Sequence, residues 1–202
     1  MINLRLPSNQ MISGLHIIEE FITNEEETNL LDSIYSPLAT WNDTIKRRTQ
    51  HYGYIYDYSS RNALTRTTPL PSWQTNVQRR VENAIEAHTG TNRMLEQLII
   101  NEYTPGQGIA AHIDSVSAFG DVVAALSLKS AVNMIFKSMD TNDTNDTINT
   151  IEVRLLPRTL ALMTGDARYK YTHCIPARKS DTVDGRRIPR STRCSMTWRQ
   201  KR

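Results

Sequence analysis

The chain has 202 residues, of which 39% are hydrophobic and 22% charged, and its formal net charge is +3. These proportions exclude a chain too polar to collapse and suit one domain with a buried core of ordinary size. Thirteen of the 24 Lys and Arg lie from Arg154 onward against 3 of the 21 acids, so the basic charge is concentrated in the last quarter, which suggests a polyanionic partner or an acidic cosubstrate and reads alternatively as a solvated basic surface.

In chain order, Thr23-Asn24-Glu25-Glu26 forms a capping box that predicts a helix start, with Leu30, Leu31 and Ile34 on its apolar face and Pro37 limiting it. A segment rich in Tyr at 50–56 predicts a strand. A second helix is expected after Ser72, because Trp73, Val77, Val81 and Ile85 recur at four-residue steps and Gly90 stands at the cap position. That stripe reads as core. Strands are then predicted at 97–103, 109–113, 122–128, 131–137, 151–156, 160–163, 169–173 and 192–199. The polar tract at 141–150 predicts an exposed hairpin loop, and the basic stretch at 178–191 a second loop.

Two early helices followed by many short strands imply a mainly β fold, a double-stranded β-helix (jelly roll) with both helices packed on one sheet. A single domain is expected over residues 1–202. No apolar run reaches membrane-spanning length, and Met1-Ile-Asn-Leu-Arg-Leu-Pro lacks a secretory core, so no membrane association is expected. Two cysteines, Cys174 and Cys194, are too few for a disulfide framework. An intracellular setting, cytoplasmic or nuclear, follows as the expectation, with the Asn-x-Thr triplets at Asn42, Asn142 and Asn145 unglycosylated.

His112-Ile113-Asp114 places two ligand-type side chains at i and i+2, which share a face on a strand. Non-haem iron sites use two His and one carboxylate on one triangular face of the metal. Among the five histidines, His173 ends a predicted strand well after the pair, where a later strand of the barrel would return a third ligand, while His88 ends the second helix and His16 and His51 precede the strand-rich part. By itself the His-x-Asp triplet is a weak signal, since most such pairs are surface polar residues. In the last predicted strand Arg193, Ser195, Thr197 and Arg199 alternate with Cys194, Met196 and Trp198. A solvent-facing edge strand would show this alternation. So would a strand whose polar face looks into the barrel, and there a buried arginine needs an anion such as a dicarboxylate. Asn101 and Tyr103 share a strand face and could donate to the same ligand.

Asn101-Glu-Tyr103-Thr-Pro-Gly-Gln-Gly-Ile-Ala-Ala-His112-Ile-Asp114 resembles the lead-in and metal motif of the AlkB family of Fe(II)/2-oxoglutarate oxygenases. Arg193-Cys-Ser195-Met-Thr197-Trp-Arg199 resembles that family's C-terminal Arg-x-Asn-x-Thr-x-Arg signature, with Ser195 where the bacterial pattern has Asn. The segments Arg47-Arg48 with His51-Tyr52-Gly53-Tyr54, and 162–169 before Thr172-His173, are most similar to the oxygenase domain of the animal tRNA-modifying AlkB homologues. The resemblance implies that His112, Asp114 and His173 ligate Fe(II). It implies that Arg193, helped by Tyr103, pairs with the distal carboxylate of 2-oxoglutarate. Asn101 and Arg199 would lie near its chelating end, Ser195 and Thr197 would line the same pocket, and Arg199 would also steady Asp114.

The implied reaction consumes O2 and 2-oxoglutarate, releases succinate and hydroxylates a substrate carbon. On an N-methyl group the product collapses to formaldehyde and free base. Family members act on alkylated DNA or RNA bases, on a tRNA wobble uridine or on proteins. The expected partner is RNA or single-stranded DNA, and the expected state a monomer. The animal proteins also carry an RNA-recognition module and a methyltransferase, which these residues do not include; that weakens the wobble uridine as the expected substrate and leaves a base of alkylated DNA or RNA, or of tRNA, as the expectation. Tyr52, Tyr54, Tyr56 and Trp41 are candidates for stacking on a base, and Arg47, Arg48, Arg178, Lys179, Arg186, Arg187 and Arg190 for holding phosphates. Each tyrosine reads more readily as strand core than as a stacking residue. A protein-directed oxygenase is the alternative, and a binding module with a dead site is disfavoured because all three ligands and both arginines are present. Cys174 reads as a small core residue or, less readily, as a redox-sensitive thiol, and Cys194 as structural.

Overall fold

The computed structural model describes residues 12–56, 64–140 and 150–202. The tract at 141–149, with Asn142 and Asn145, lies outside the described residues, as does the N-terminus. The strands β1 (Leu15–Ile18), β2 (Arg48–Tyr52), β5 (Gln97–Tyr103), β7 (Phe119–Leu128), β10 (Leu160–Met163) and β14 (Arg193–Lys201) build a six-stranded sheet in the order β1-β10-β7-β14-β5-β2. Facing it is a four-stranded sheet in the order β6-β11-β8-β9, from β6 (Ile109–His112), β8 (Val132–Ser138), β9 (Thr150–Leu155) and β11 (Tyr171–Ile175). All pairings are antiparallel. This is the expected jelly roll.

The helices α1 (Asn24–Ile34) and α2 (Thr75–Thr89) cover the outer face of the larger sheet. The Thr23 capping box is present in full: the Thr23 amide donates to Glu26 Oε2 at 2.8 Å, and the Glu26 amide donates to Thr23 Oγ1 at 3.1 Å. Val77, Val81 and Ile85 are buried against the sheet, and Gly90 ends α2 at a φ of 69°, a left-handed conformation that favours glycine. Their partners are the residues of one parity: Leu98 and Ile100 on β5, Ala124 and Leu126 on β7, and Cys194, Met196 and Trp198 on β14. The Trp198 indole donates to Gln74 Oε1 at 2.9 Å, which satisfies the one polar atom of the largest buried side chain. A second apolar cluster, with Val123, Met134, Phe136, Met163 and Ile175, lies between the sheets.

Four features depart from the sequence expectations. Gly53, with φ 75° and its would-be Cβ 1.9 Å from the Glu96 carbonyl oxygen, splits the 50–56 segment into β2 and β3 (Tyr54–Tyr56). Strand β3 then pairs with β4 (Leu64–Arg66) away from the main sheet. The expected 178–191 loop contains a hairpin, β12 (Ser180–Val183) with β13 (Arg186–Pro189), closed through Asp184-Gly185 at positive φ. The expected strand at 169–173 begins only at Tyr171, because Gly165–Tyr169 forms a short helix, α3. β1, at the edge of the larger sheet, had no clear alternation to announce it.

Candidate metal centre and cosubstrate pocket

The strand pairings bring the predicted ligands together. His173 on β11 is directly opposite His112 on β6, and their rings are 4.4 Å apart between centroids. β6 ends at His112, so Asp114 sits just past the strand end rather than two residues along it, yet it turns back to the same point. One ligand atom from each of His112, Asp114 and His173 lies within 4.8 Å of the others. His112 Nδ1 is 2.8 Å from the Ala110 carbonyl oxygen, which makes that nitrogen the donor and leaves Nε2 with its lone pair.

The charges around this cluster are those a cation site needs. Asp114 is buried, and burial alone would raise its carboxyl pKa. Arg199 above all, with His173, His112 and Arg168, outweighs that and holds it below the ordinary carboxylate value. The Arg199 guanidinium lies 2.6 Å from Asp114 Oδ1 and donates to Gln97 Oε1 at 2.9 Å. Asp114 Oδ2 is buried without a hydrogen-bond partner and lies 3.8 Å from His173 Nε2. Burial lowers His173 to about 4, against the attraction of Asp114, so its imidazole is neutral near pH 7. A neutral imidazole, an anionic carboxylate with an unused oxygen and a second imidazole with a free Nε2 are the donor set of a divalent cation. The residues fit Fe(II).

A cavity of about 580 Å³ opens beside this cluster between the sheets. Its floor is the other parity of β5 and β14, where Arg193 pairs with Tyr103, Ser195 with Asn101, Thr197 with Ile99 and Arg199 with Gln97. The alternation in the last strand therefore belongs to an interior strand, with its apolar side under the helices and its polar side in the cavity. Arg193 is 3% exposed, donates to Ser127 Oγ at 2.8 Å and lies over the Tyr103 ring at 5.5 Å. Among the described residues no carboxylate pairs with it, and its Nε has no partner. A buried guanidinium in that state calls for an anion, and a carboxylate is the group it binds best.

The predicted substrate residues divide by the face they present. Arg47 and Tyr56 line the cavity, as does His51, which sequence reasoning set aside. Arg48 and Tyr52 face the opposite way. Arg48 pairs with Glu102 at 2.6 Å and stacks over Trp41 at 4.3 Å, while Tyr52 donates to Gln50 Oε1 and meets Trp73 edge-on. Tyr54 lies under the Lys201 ammonium at 4.9 Å, outside the cavity wall. Arg178 is committed to Asp181 and Glu152, at 2.9 and 2.6 Å, and Arg190 to Asp181 at 2.7 Å, so both brace the β12–β13 hairpin. Arg187 donates to Ser180 Oγ, and Lys179 and Arg186 are exposed. Burial pushes the Cys194 thiol up to about 12 and raises Cys174 as well, which leaves neither as an activated nucleophile.

Sequence reasoning missed Arg168. It is 3% exposed, and its guanidinium donates to the carbonyls of Asp114 at 2.8 Å and Gly120 at 3.1 Å, with Ser115 and Phe119 close by. It thus clamps the turn that carries Asp114. The one available signal was an arginine inside the Gly165–Tyr169 segment that precedes His173.

Residues 14–199 match the family model of the 2OG-Fe(II) oxygenase superfamily. The chain belongs to that superfamily. Its relatives place this oxygenase in the AlkB family. It is 39% identical over 175 residues to the mouse tRNA (carboxymethyluridine(34)-5-O)-methyltransferase ALKBH8, covering 84% of this chain and 25% of the mouse protein. It is 34% identical over 212 residues to the Arabidopsis thaliana "alkylated DNA repair protein ALKBH8 homolog", covering 98% of this chain and 61% of that one. The oxygenase therefore spans a quarter and about three fifths of the lengths of these two relatives. The solved structure of OsALKBH1 superposes with a TM-score of 0.69 at 15% identity, covering 93% of this chain and 96% of that chain, so the fold is shared. The AlkB-type oxygenase is a 2-oxoglutarate-dependent dioxygenase that uses Fe(II), 2-oxoglutarate and O2. Among the described residues, no helix is long and apolar enough to cross a membrane.

Proposed function

We propose that this chain is a single oxygenase domain that oxidises a nucleic-acid base, by demethylation or hydroxylation, with RNA or single-stranded DNA as its substrate. His112, Asp114 and His173 hold Fe(II). The Arg193 guanidinium takes the distal carboxylate of 2-oxoglutarate, with Tyr103, Asn101, Ser195 and Thr197 along the same face, and Arg199 holds Asp114 in its anionic form. Bound together, the metal and cosubstrate supply a hydroxylating oxidant. The protein's part is to bind, orient and exclude water. The metal cluster lies in the cavity between the sheets, so a base reaches it unstacked or from a single strand. Tyr56 stands on the cavity wall, where a base plane would meet it. The observation that carries the cosubstrate assignment is the buried Arg193 beside the metal cluster, without an acidic partner among the described residues. The choice of nucleic acid is supported by the relatives' printed activities, tRNA methylation and alkylated-DNA repair. The protein works as a monomer inside the cell.

The test is succinate release by the iron-loaded chain with tRNA, alkylated single-stranded DNA and a peptide extract as separate additions, followed by mass spectrometry of the nucleosides. Stimulation by nucleic acid with loss or oxidation of a defined modified nucleoside is expected. Stimulation by the peptide extract alone transfers the activity to a protein target.

A further inference from the structure

The geometry points to Arg47 as a positioning residue that sets the orientation of the Asn101 carboxamide, and through it the affinity for 2-oxoglutarate. Arg47 precedes β2, the edge strand beside β5, and Thr49 pairs with Asn101 in that ladder. Its Nε donates to Asn101 Oδ1 at 2.9 Å, and its guanidinium lies over the Tyr103 ring at 5.9 Å. Asn101 is 6% exposed, on the cavity face of β5 and opposite Ser195.

A carboxamide has an acceptor at one end and a donor at the other, and turning it over exchanges them. A guanidinium only donates, so it selects the orientation with Oδ1 toward Arg47 and the NH2 group away from it. A dicarboxylate only accepts. The orientation that Arg47 selects is thus the one that offers N–H rather than C=O to such a ligand. Without Arg47 the amide is free to turn, and its carbonyl would then face an anion.

Arg47 is itself held for this task. The Gln107 side chain donates to the Lys46 carbonyl and accepts from the Thr104 amide at 2.9 Å, which ties the Arg47 segment to the loop leading into His112. Among the described residues no acid pairs with Arg47, so its donors are not drawn away from Asn101. Arg47 therefore acts as a positioning residue, through Asn101.

This inference rests on the assignment of 2-oxoglutarate to the Arg193 face. The experiment is an anaerobic titration of the Fe(II)-loaded chain with 2-oxoglutarate, read by its visible charge-transfer absorbance, with far-UV circular dichroism checking the fold of each variant. Arg47→Met should weaken binding about tenfold, the loss of one hydrogen bond to a charged group. Arg47→Lys, which keeps a donor, should recover part of that. Asn101→Ala should weaken binding by itself, and Arg47→Met added to it should cause no further loss. Multiplicative losses in the double variant, or unchanged binding in Arg47→Met, overturn the coupling while leaving the cosubstrate assignment standing. Unchanged binding in Arg193→Met overturns the assignment, and the coupling with it. If Arg47 served only a phosphate of the substrate, Arg47→Met would change the KM for nucleic acid and leave the anaerobic titration unmoved, which again overturns the inference.

Discussion

Arg199 Nη2 sits 2.6 Å from Asp114 Oδ1, while Oδ2 of the same carboxylate is turned toward His173. One oxygen is spent on holding the residue and the other is kept for the cation. Arg199→Met should therefore lower the affinity for Fe(II), or for Mn(II) as its stand-in, about 10- to 100-fold. Because Arg199 is the main force holding the Asp114 carboxyl pKa down, the variant's metal binding should also weaken at a higher pH than the parent's as acid is added. Equal affinities across the pH range, by calorimetric titration, would mean that Arg199 does not support the ligand.

Arg193 makes an opposite prediction for the cosubstrate-free and cosubstrate-bound protein. Its charge is buried without an acid among the described residues, so Arg193→Met should raise the melting temperature when 2-oxoglutarate is absent. The parent should gain about 2.7 kcal/mol at a cosubstrate concentration 100-fold above its Kd, and the variant nothing. Thermal melting with and without 2-oxoglutarate reads both effects. A variant that still responds to 2-oxoglutarate would relocate its carboxylate.

Asp181 carries an acid-sensitive part of the stability. It is 2% exposed in its side chain and meets both Arg178 and Arg190. Burial opposes its ionisation, but Arg190 and Arg178 win and hold its pKa below the ordinary 3.8. A folded pKa below the unfolded one contributes stability that is fully present above 3.8 and is lost as pH falls through the lower folded value. Asp181→Asn should cost about 3–5 kcal/mol at neutral pH, the penalty for stranding buried charge. It should also flatten the acid limb of the stability curve, as denaturant melts from pH 7 down to about pH 3 would record. A parallel shift at every pH would place the acid sensitivity elsewhere.

Gly108, on the loop into β6, approaches β11 closely enough that an added Cβ would lie 2.1 Å from the Ile175 carbonyl oxygen. That backbone contact sets the distance between the strands bearing His112 and His173. Gly108→Ala should destabilise the chain by about 2 kcal/mol or more and weaken metal binding with it. A stable variant with parental metal affinity would show that the two strands tolerate the shift.

The parts of the site that were legible in the sequence are those encoded by local spacing. The His112-x-Asp114 pair, the capping box at Thr23, the Val77-Val81-Ile85 stripe and the alternation from Arg193 to Arg199 each rest on a period of the backbone itself, so each could be read without neighbours. The hairpin within 178–191 was not legible, because its stability comes from Asp181 pairing with Arg178 and Arg190 rather than from apolar alternation. α3 was hidden by an aromatic segment that reads as strand.

By itself, then, the sequence determined the chemistry: two histidines and a carboxylate for a ferrous ion, and a strand with arginines on one side and core residues on the other. Which side of each strand meets the cavity was decided only by tertiary structure. Residues 47–56 carry cations and aromatic rings on both parities, and nothing local separates Arg47, His51 and Tyr56 from Arg48 and Tyr52. The pairing of Thr49 with Asn101 separates Arg47 and His51 from Arg48 and Tyr52, by committing one parity of β2 to the cavity and the other to the helices, while Tyr56 shares the parity of Arg48 and Tyr52 and reaches the cavity only from β3, beyond the break at Gly53. The same holds for Arg168, whose partners are backbone carbonyls roughly fifty residues away, a kind of contact that no side-chain pattern records.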